Sequence, residues 1–425
     1  MPVIEQLGAL EILDSRGRPT VSATCRLSSG AEAAASVPSG ASTGAAEALE
    51  LRDADPARYN GLGCRRAVAN INGEMNEALR LRSFEQAELD EALNSLDGTA
   101  NKSRLGANAL LAVSLAFARA RAVEKDVPLY RHFADLIGEP VRTLPRLTVN
   151  LFSGGVHAGG QVAIQDVLLV PSSAATIDEG LASIYAVYYK AAELMQSKYG
   201  MRLLRADEGG LAPPSTSSRA LLEDAVTAIE AAGLRPGREM SLAVDVASSH
   251  FYRDGRYEID GSSLTASGMI GRLVEWASAF PIVSLEDGLS EEDWNNWPLL
   301  REAIAGRALV LGDDFLCTNP ARIERAMAAG AANALLLKVN QIGTLSEAAE
   351  ARRLAKAAGW RVTVSARSGE TEDNWLADLA VGWGADQIKI GSITQSERLA
   401  KYNRLLAIEA ETGLPVAGWP LAQMA

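Results

Sequence analysis

Apolar and polar positions along this chain follow one rhythm before residue 139 and another after it. Near the start, TVSATCRL and AEAAASV show the two-residue alternation of half-buried strands. The turn-forming Ser28, Ser29 and Gly30 separate them, which predicts a β-hairpin. From about residue 63 the spacing becomes three and four, in CRRAVANINGEMNEAL, SFEQAELDEALNSL and ANALLAVSLAFARARAVEKD, which predicts helices. Strands followed by helices define an α+β unit. Pro140 and Pro145 in GEPVRTLPRL mark a boundary between a capping unit at 1–138 and a larger unit at 139–425. Beyond it, strand and helix signals alternate to the end of the chain, and the fold class read from this is α/β, a parallel barrel with an appended N-terminal α+β domain.

Six short apolar runs in the second unit carry a charge at or near their ends: SLAVDV with Asp245, PIVSLED with Glu286, ALVLGDD with Asp313, ALLLKV with Lys338, VTVSARS with Arg367 and QIKIGS with Lys389. The intervals from Asp245 to Lys338 are 41, 27 and 25 residues, each long enough for a strand, a helix and two loops. In a parallel barrel such residues gather at one face, where rigid strand ends support variable loops. The alternative is a set of structural salt bridges. Six buried charges in register favour a site, because each is costly without a compensating role.

Composition narrows the setting. Hydrophobic residues are 48% and charged residues 22% of the 425, the usage of a globular protein with an ample core. A net charge of −12 disfavours nucleic acid and anionic membrane as partners, although Lys338, Arg367 and Lys389 could form a local pocket for a small anion. Cys25, Cys64 and Cys317 lack the close pairing of a zinc site or a disulfide framework, so a reducing cytoplasm is expected. The start, MPVIEQLGALEILDSRG, has no apolar core of the signal-peptide kind.

Three carboxylates on successive strand ends, Asp245, Glu286 and Asp313, can converge on one hard divalent cation, and oxygen-only ligation points to magnesium. Lys338 follows on the next strand. Its proximity to a metal and other cations could lower its pKa enough for it to act as a base, while a structural salt bridge is the other reading. VPSGASTG, residues 37–44, reads as a mobile lid or a plain flexible turn. FSGGVHAGGQVAIQD places His157 in a second glycine-rich loop, with Gln165 and Asp166 following on a strand, and leaves His132 and His250 as structural or exposed. Glu208 in RADEGGLAPP is either the acid for a leaving hydroxyl or an ordinary turn carboxylate.

The chain resembles the enolases through LDSRGRPTV, VPSGASTGAAEALELRD, LGANALLAVSLA, GGVHAGG, DEGGLAP, LEDGLSEEDW, GDDFLCTNP, LLLKVNQIGTLSE, SGETED and IKIGSITQSERLAKYNRLLAIE. The resemblance implies an enolase-type modified barrel, Mg²⁺ as cofactor and a homodimer or ring of dimers. It implies metal ligation by Asp245, Glu286 and Asp313, and a closing Ser39 loop that helps to hold a second ion. By position Lys338 removes the C2 proton of 2-phosphoglycerate and Glu208 assists departure of the C3 hydroxyl. Lys389 meets the carboxylate, Arg367 and Ser368 meet the phosphate, and His157 and Gln165 complete the pocket.

Two departures stand out. Ser365-Ala366-Arg367-Ser368-Gly369-Glu370 lacks the histidine of the family's Ser-His-Arg-Ser-Gly-Glu, and Gln165-Asp166 replaces Gln-Glu. Three readings follow. The first is a specialised paralogue resembling the carboxyphosphonoenolpyruvate synthases of phosphonate biosynthesis, with a nucleotide-activated phosphonate as a further substrate. The others are a glycolytic enolase and a non-catalytic protein on the same scaffold.

Overall fold

A computed structural model of the protein describes residues 1–41, 43–200 and 204–420. Ser42 of the predicted lid and residues 421–425 at the end of the predicted larger unit lie outside the described residues. An antiparallel sheet of β1 (Ile4–Leu13), β2 (Pro19–Leu27) and β3 (Glu32–Ser36) opens the chain. The hairpin expected from the alternating runs is β2–β3. Strand β1 was not expected, because a register irregularity between Ile4 and Gln6 breaks its alternation. The helix Ala107–Glu124 lies against β2 and β3, buried on nearly all sides, which explains its lack of an amphipathic stripe. The first predicted helix is interrupted by a π-helical stretch at Ile71–Met75.

The second unit is a closed eight-stranded barrel, as expected. In chain order its strands are β4 (Arg146–Ser153), β5 (Asp166–Val170), β6 (Ser241–Asp245), then, after a small sheet of β7 (Tyr252–Arg253), β8 (Arg256–Ile259) and β9 (Ser262–Leu264), β10 (Ile282–Glu286), β11 (Leu309–Gly312), β12 (Ala334–Leu337), β13 (Arg361–Ser365) and β14 (Gln387–Gly391). Every barrel pairing is parallel except those of β5, which is antiparallel to both neighbours. Period-two alternation sends Leu168 and Val170, with Ala243, Leu309, Leu311 and Leu336, into the barrel interior, while Val167 and Leu169 face the helices. Trp419 joins that interior cluster, and its carbonyl accepts from Arg146 Nε at 2.9 Å. The two units are tied by Arg119, whose guanidinium meets Asp373 at 2.6 and 2.9 Å. Among the described residues no helix is long and apolar enough to cross a membrane.

Candidate active site

The reversed strand β5 changes how the site is assembled. In a parallel strand the site residue is the last; in β5 it is the first, so Asp166 lies opposite Asp245 at the same end of the barrel. Asp245 and Glu286 end β6 and β10 and are register partners. Asp313 and Lys338 immediately follow β11 and β12, Ala366 and Arg367 follow β13, and Lys389 sits within β14. His157, Gln165, Glu208, Asp245, Lys338, Ala366, Arg367, Ser368, Lys389 and Ala41 line one cavity, so most of the sequence-derived site residues come together.

Their pairings form three groups. Lys389 Nζ lies 2.8 Å from Asp245 Oδ2 and 2.8 Å from both oxygens of Glu286. Lys338 Nζ lies 2.5 Å from Asp313 Oδ2, whose other oxygen accepts from Gln341 Nε2 at 2.8 Å. His157 Nδ1 meets Asp166 Oδ2 at 3.2 Å, and its Nε2 faces Glu208 Oε1 at 3.9 Å. Ser153 Oγ donates to Asp166 at 2.6 Å and Asn150 Nδ2 to Glu208 at 3.1 Å. Gln165 Oε1, from the cavity wall, and Asn150 Oδ1 are buried without partners among the described residues.

Electrostatics bear on two of these residues. Burial pulls the Lys338 ammonium down, but Asp313 and Glu286 outweigh it and the net direction is up, not down as a neutral-pH base requires. While Asp313 holds its proton, Lys338 is an ion-pair partner. Burial raises Glu208, yet His157, Arg398, Lys389 and Lys338 together hold it below the usual carboxylate range. Burial lowers His157, but Asp166 and Glu208 outweigh it and push the ring up to about 9, while burial also raises its partner Asp166.

The three proposed metal ligands do not form a compact cluster by themselves. The ligand atoms of Asp313 lie close to those of Asp287 and Asp314, two carboxylates that the sequence reading passed over, and Lys389 stands between Asp245 and Glu286. Glu286 is raised well above its ordinary value by burial and by Asp245, the mark of anions short of positive charge. Asp287 is spent on the backbone amides of Asp313 and Asp314, at 2.9 and 2.8 Å, and so fixes the turn that aims Asp313. An all-carboxylate set with an ammonium already in its midst fits a hard divalent cation. Ser39 is tied into the N-terminal unit. Its hydroxyl donates to Glu50 at 3.0 Å and accepts from Arg52 at 2.6 Å, and its backbone pairs with Gly369, leaving Ala41 to line the cavity. Arg367 is closed off as well, bonded to Glu47 of the N-terminal unit at 3.0 and 3.1 Å. Only about 20 Å³ of the cavity is open to the centre of a water molecule, room for about one water.

Comparison with protein-family models gives two matches. The enolase N-terminal domain matches residues 4–133, and the enolase C-terminal TIM barrel domain matches residues 141–418. The chain belongs to the enolase family. The modified barrel, with β5 reversed, is thus an enolase barrel, and the acidic clusters at its mouth could bind a metal in a family of magnesium-dependent enzymes. Within this enolase-family site, Ala366 is 7% exposed and lines the cavity beside Arg367, while Asp166 is fully engaged by Ser153 and His157. Replacing Asp313 by Asn should weaken magnesium binding at least about tenfold by calorimetry if Asp313 is one of the three carboxylates that hold the ion, as the sequence reading expects. Unchanged affinity would move the metal away from Asp313.

Proposed function

We propose that this enolase-family enzyme removes the C2 proton of a phosphorylated three-carbon acid of the 2-phosphoglycerate type. We further propose that it is a specialised paralogue in which departure of the C3 hydroxyl is slowed. The observation that carries the reading is the retention of Lys338, Asp245, Glu286, Asp313, Lys389 and Arg367 around a cavity wall where the family histidine is Ala366. A magnesium ion held by Asp245, Glu286 and Asp313 would supply positive charge opposite the negative charge that develops on the substrate. Were its carboxylate committed to such an ion, Asp313 would no longer hold Lys338 as an ammonium, and the lysine, beside Arg367 and Lys389, could work as a base. The C2–H bond breaks, its proton passes to Lys338, and the electron pair is left on the substrate. Arg367 must exchange Glu47 for the phosphate, and Lys389 must turn from Glu286 toward the substrate carboxylate. The imidazolium of His157, oriented by Asp166, is the proton source for the leaving hydroxyl.

Beside the catalytic cavity an open groove of about 640 Å³ runs along the same glycine-rich loop, lined by Val156, Gln161, His250 and Phe251 among others. It supports a second, larger substrate, for which a nucleotide-activated phosphonate of the carboxyphosphonoenolpyruvate synthase type is the class we favour. Incubation with 2-phosphoglycerate and magnesium, followed by enolpyruvate absorbance, tests the reading. Slow product formation is expected. Turnover comparable with a glycolytic enzyme would return the chain to ordinary hydratase function.

A further inference from the structure

A cavity of about 280 Å³ lies at the junction of the two units and shares no lining residue with the catalytic cavity. Its walls include Phe117 and Leu136 from the N-terminal helices and Leu345 and Trp383 from the barrel helices. Three deeply buried side chains in that wall carry polar atoms with no hydrogen-bond partner among the described residues: both ring nitrogens of His132, Nε1 of Trp383 and Oε1 of Gln86. They are 2%, 1% and 6% exposed. Polar groups so buried are nearly always satisfied, and an orphaned indole N–H together with an orphaned imidazole in one cavity points to an absent guest.

The charges around it select that guest. Burial, then Lys125 and Arg121, push His132 down to about 4, and Arg121 is itself ion-paired with Glu124, which leaves Lys125 as the cation in the wall to meet a guest's charge. Lys125 is exposed and has no ion pair among the described residues. Of the two carboxylates in the wall, Glu85 is spent on capping the helix Gln86–Asp97 and faces Arg121 at 3.8 Å, and Asp135 is exposed to solvent. We infer that this junction is a binding site for a small monocarboxylic acid with an apolar body. The carboxylate meets Lys125 and the N–H groups of Trp383 and His132, and the body packs on Phe117, Leu136 and Leu345. Leu345 and Ser346 begin the helix that follows Lys338 by seven residues, so an occupant would press on the segment that carries the proposed base.

Benzoate and its neutral isostere benzamide are suitable probes for calorimetry on the full chain with 2-phosphoglycerate and magnesium present to occupy the catalytic cavity. Benzoate is expected to bind with a Kd of about 0.1–1 mM, in keeping with a ligand of its size, and at least about tenfold more tightly than benzamide. Lys125→Gln, a surface change with no risk to folding, should weaken benzoate about fivefold, in the range of a charge-assisted hydrogen bond. Ala349→Phe should fill the cavity and remove binding while leaving magnesium affinity unchanged, which also reports that the variant is folded. No benzoate binding to the parent protein would mean a cavity filled by water and would overturn the inference. Equal binding of benzamide, or an affinity untouched by Lys125→Gln, would do the same.

Discussion

Replacing Lys338 by Ala is expected to abolish exchange of the C2 proton of 2-phosphoglycerate with solvent, a loss of about 10²- to 10⁴-fold for a positioned base, while the barrel stays folded. Lys338 is a half-buried lysine at a strand end, paired with Asp313 and beside Arg367 in the cavity wall. Its side chain lies on the surface of the cavity and is not part of the apolar interior cluster, so truncation should cost little packing. It does leave Asp313 without its cation, and a small gain in magnesium affinity is the expected companion effect. Proton exchange by NMR measures the first and calorimetry the second. Exchange persisting at the parent rate would assign the base to another group.

Restoring Ala366→His together with Asp166→Glu is expected to raise dehydration of 2-phosphoglycerate at least about tenfold, because one positioned donor is worth about 10²- to 10⁴-fold when it acts in the transition state. The two positions play different parts. Ala366 leaves the cavity wall beside Arg367 and Ser368 without a donor. Asp166, one methylene shorter than Glu, reaches His157 at 3.2 Å while also accepting from Ser153, so it orients the imidazolium and has no oxygen to spare. A longer carboxylate would shift that balance toward the substrate. Steady-state rates of the double variant against the parent decide the matter, and an unchanged rate in a parent that is already fast would mean that the substitutions carry no functional weight.

The barrel and the residues at its mouth were legible in the sequence because a charge at the end of an apolar run is rare and periodic spacing repeats it. Asp245, Glu286, Asp313, Lys338, Arg367 and Lys389 all announce themselves in that way. What the sequence concealed are pairings between distant segments. Glu47 and Arg367 are 320 residues apart, and nothing local to either predicts their contact. The insertion of Lys389 between Asp245 and Glu286 spans 144 and 103 residues. The reversal of β5 was hidden for another reason: its five buried residues look the same read in either direction. Protonation states were the least legible of all. Glu208 carries the sequence features of an acid, and only the fold brings His157, Arg398, Lys389 and Lys338 around it to lower its pKa. Asp287 and Asp314 were in view as the second acids of Glu-Asp and Asp-Asp pairs, a signal that could have marked them.

The most direct test of the account follows both bonds of one substrate in one tube. With the parent protein, magnesium and 2-phosphoglycerate in deuterated water, NMR reports deuterium entering at C2 while enolpyruvate absorbance reports loss of the C3 hydroxyl. The account predicts that exchange at C2 outruns enolpyruvate formation by at least about tenfold, since the base is retained and the donor at 366 is missing. Equal rates for the two, or no exchange at C2 at all, would contradict it.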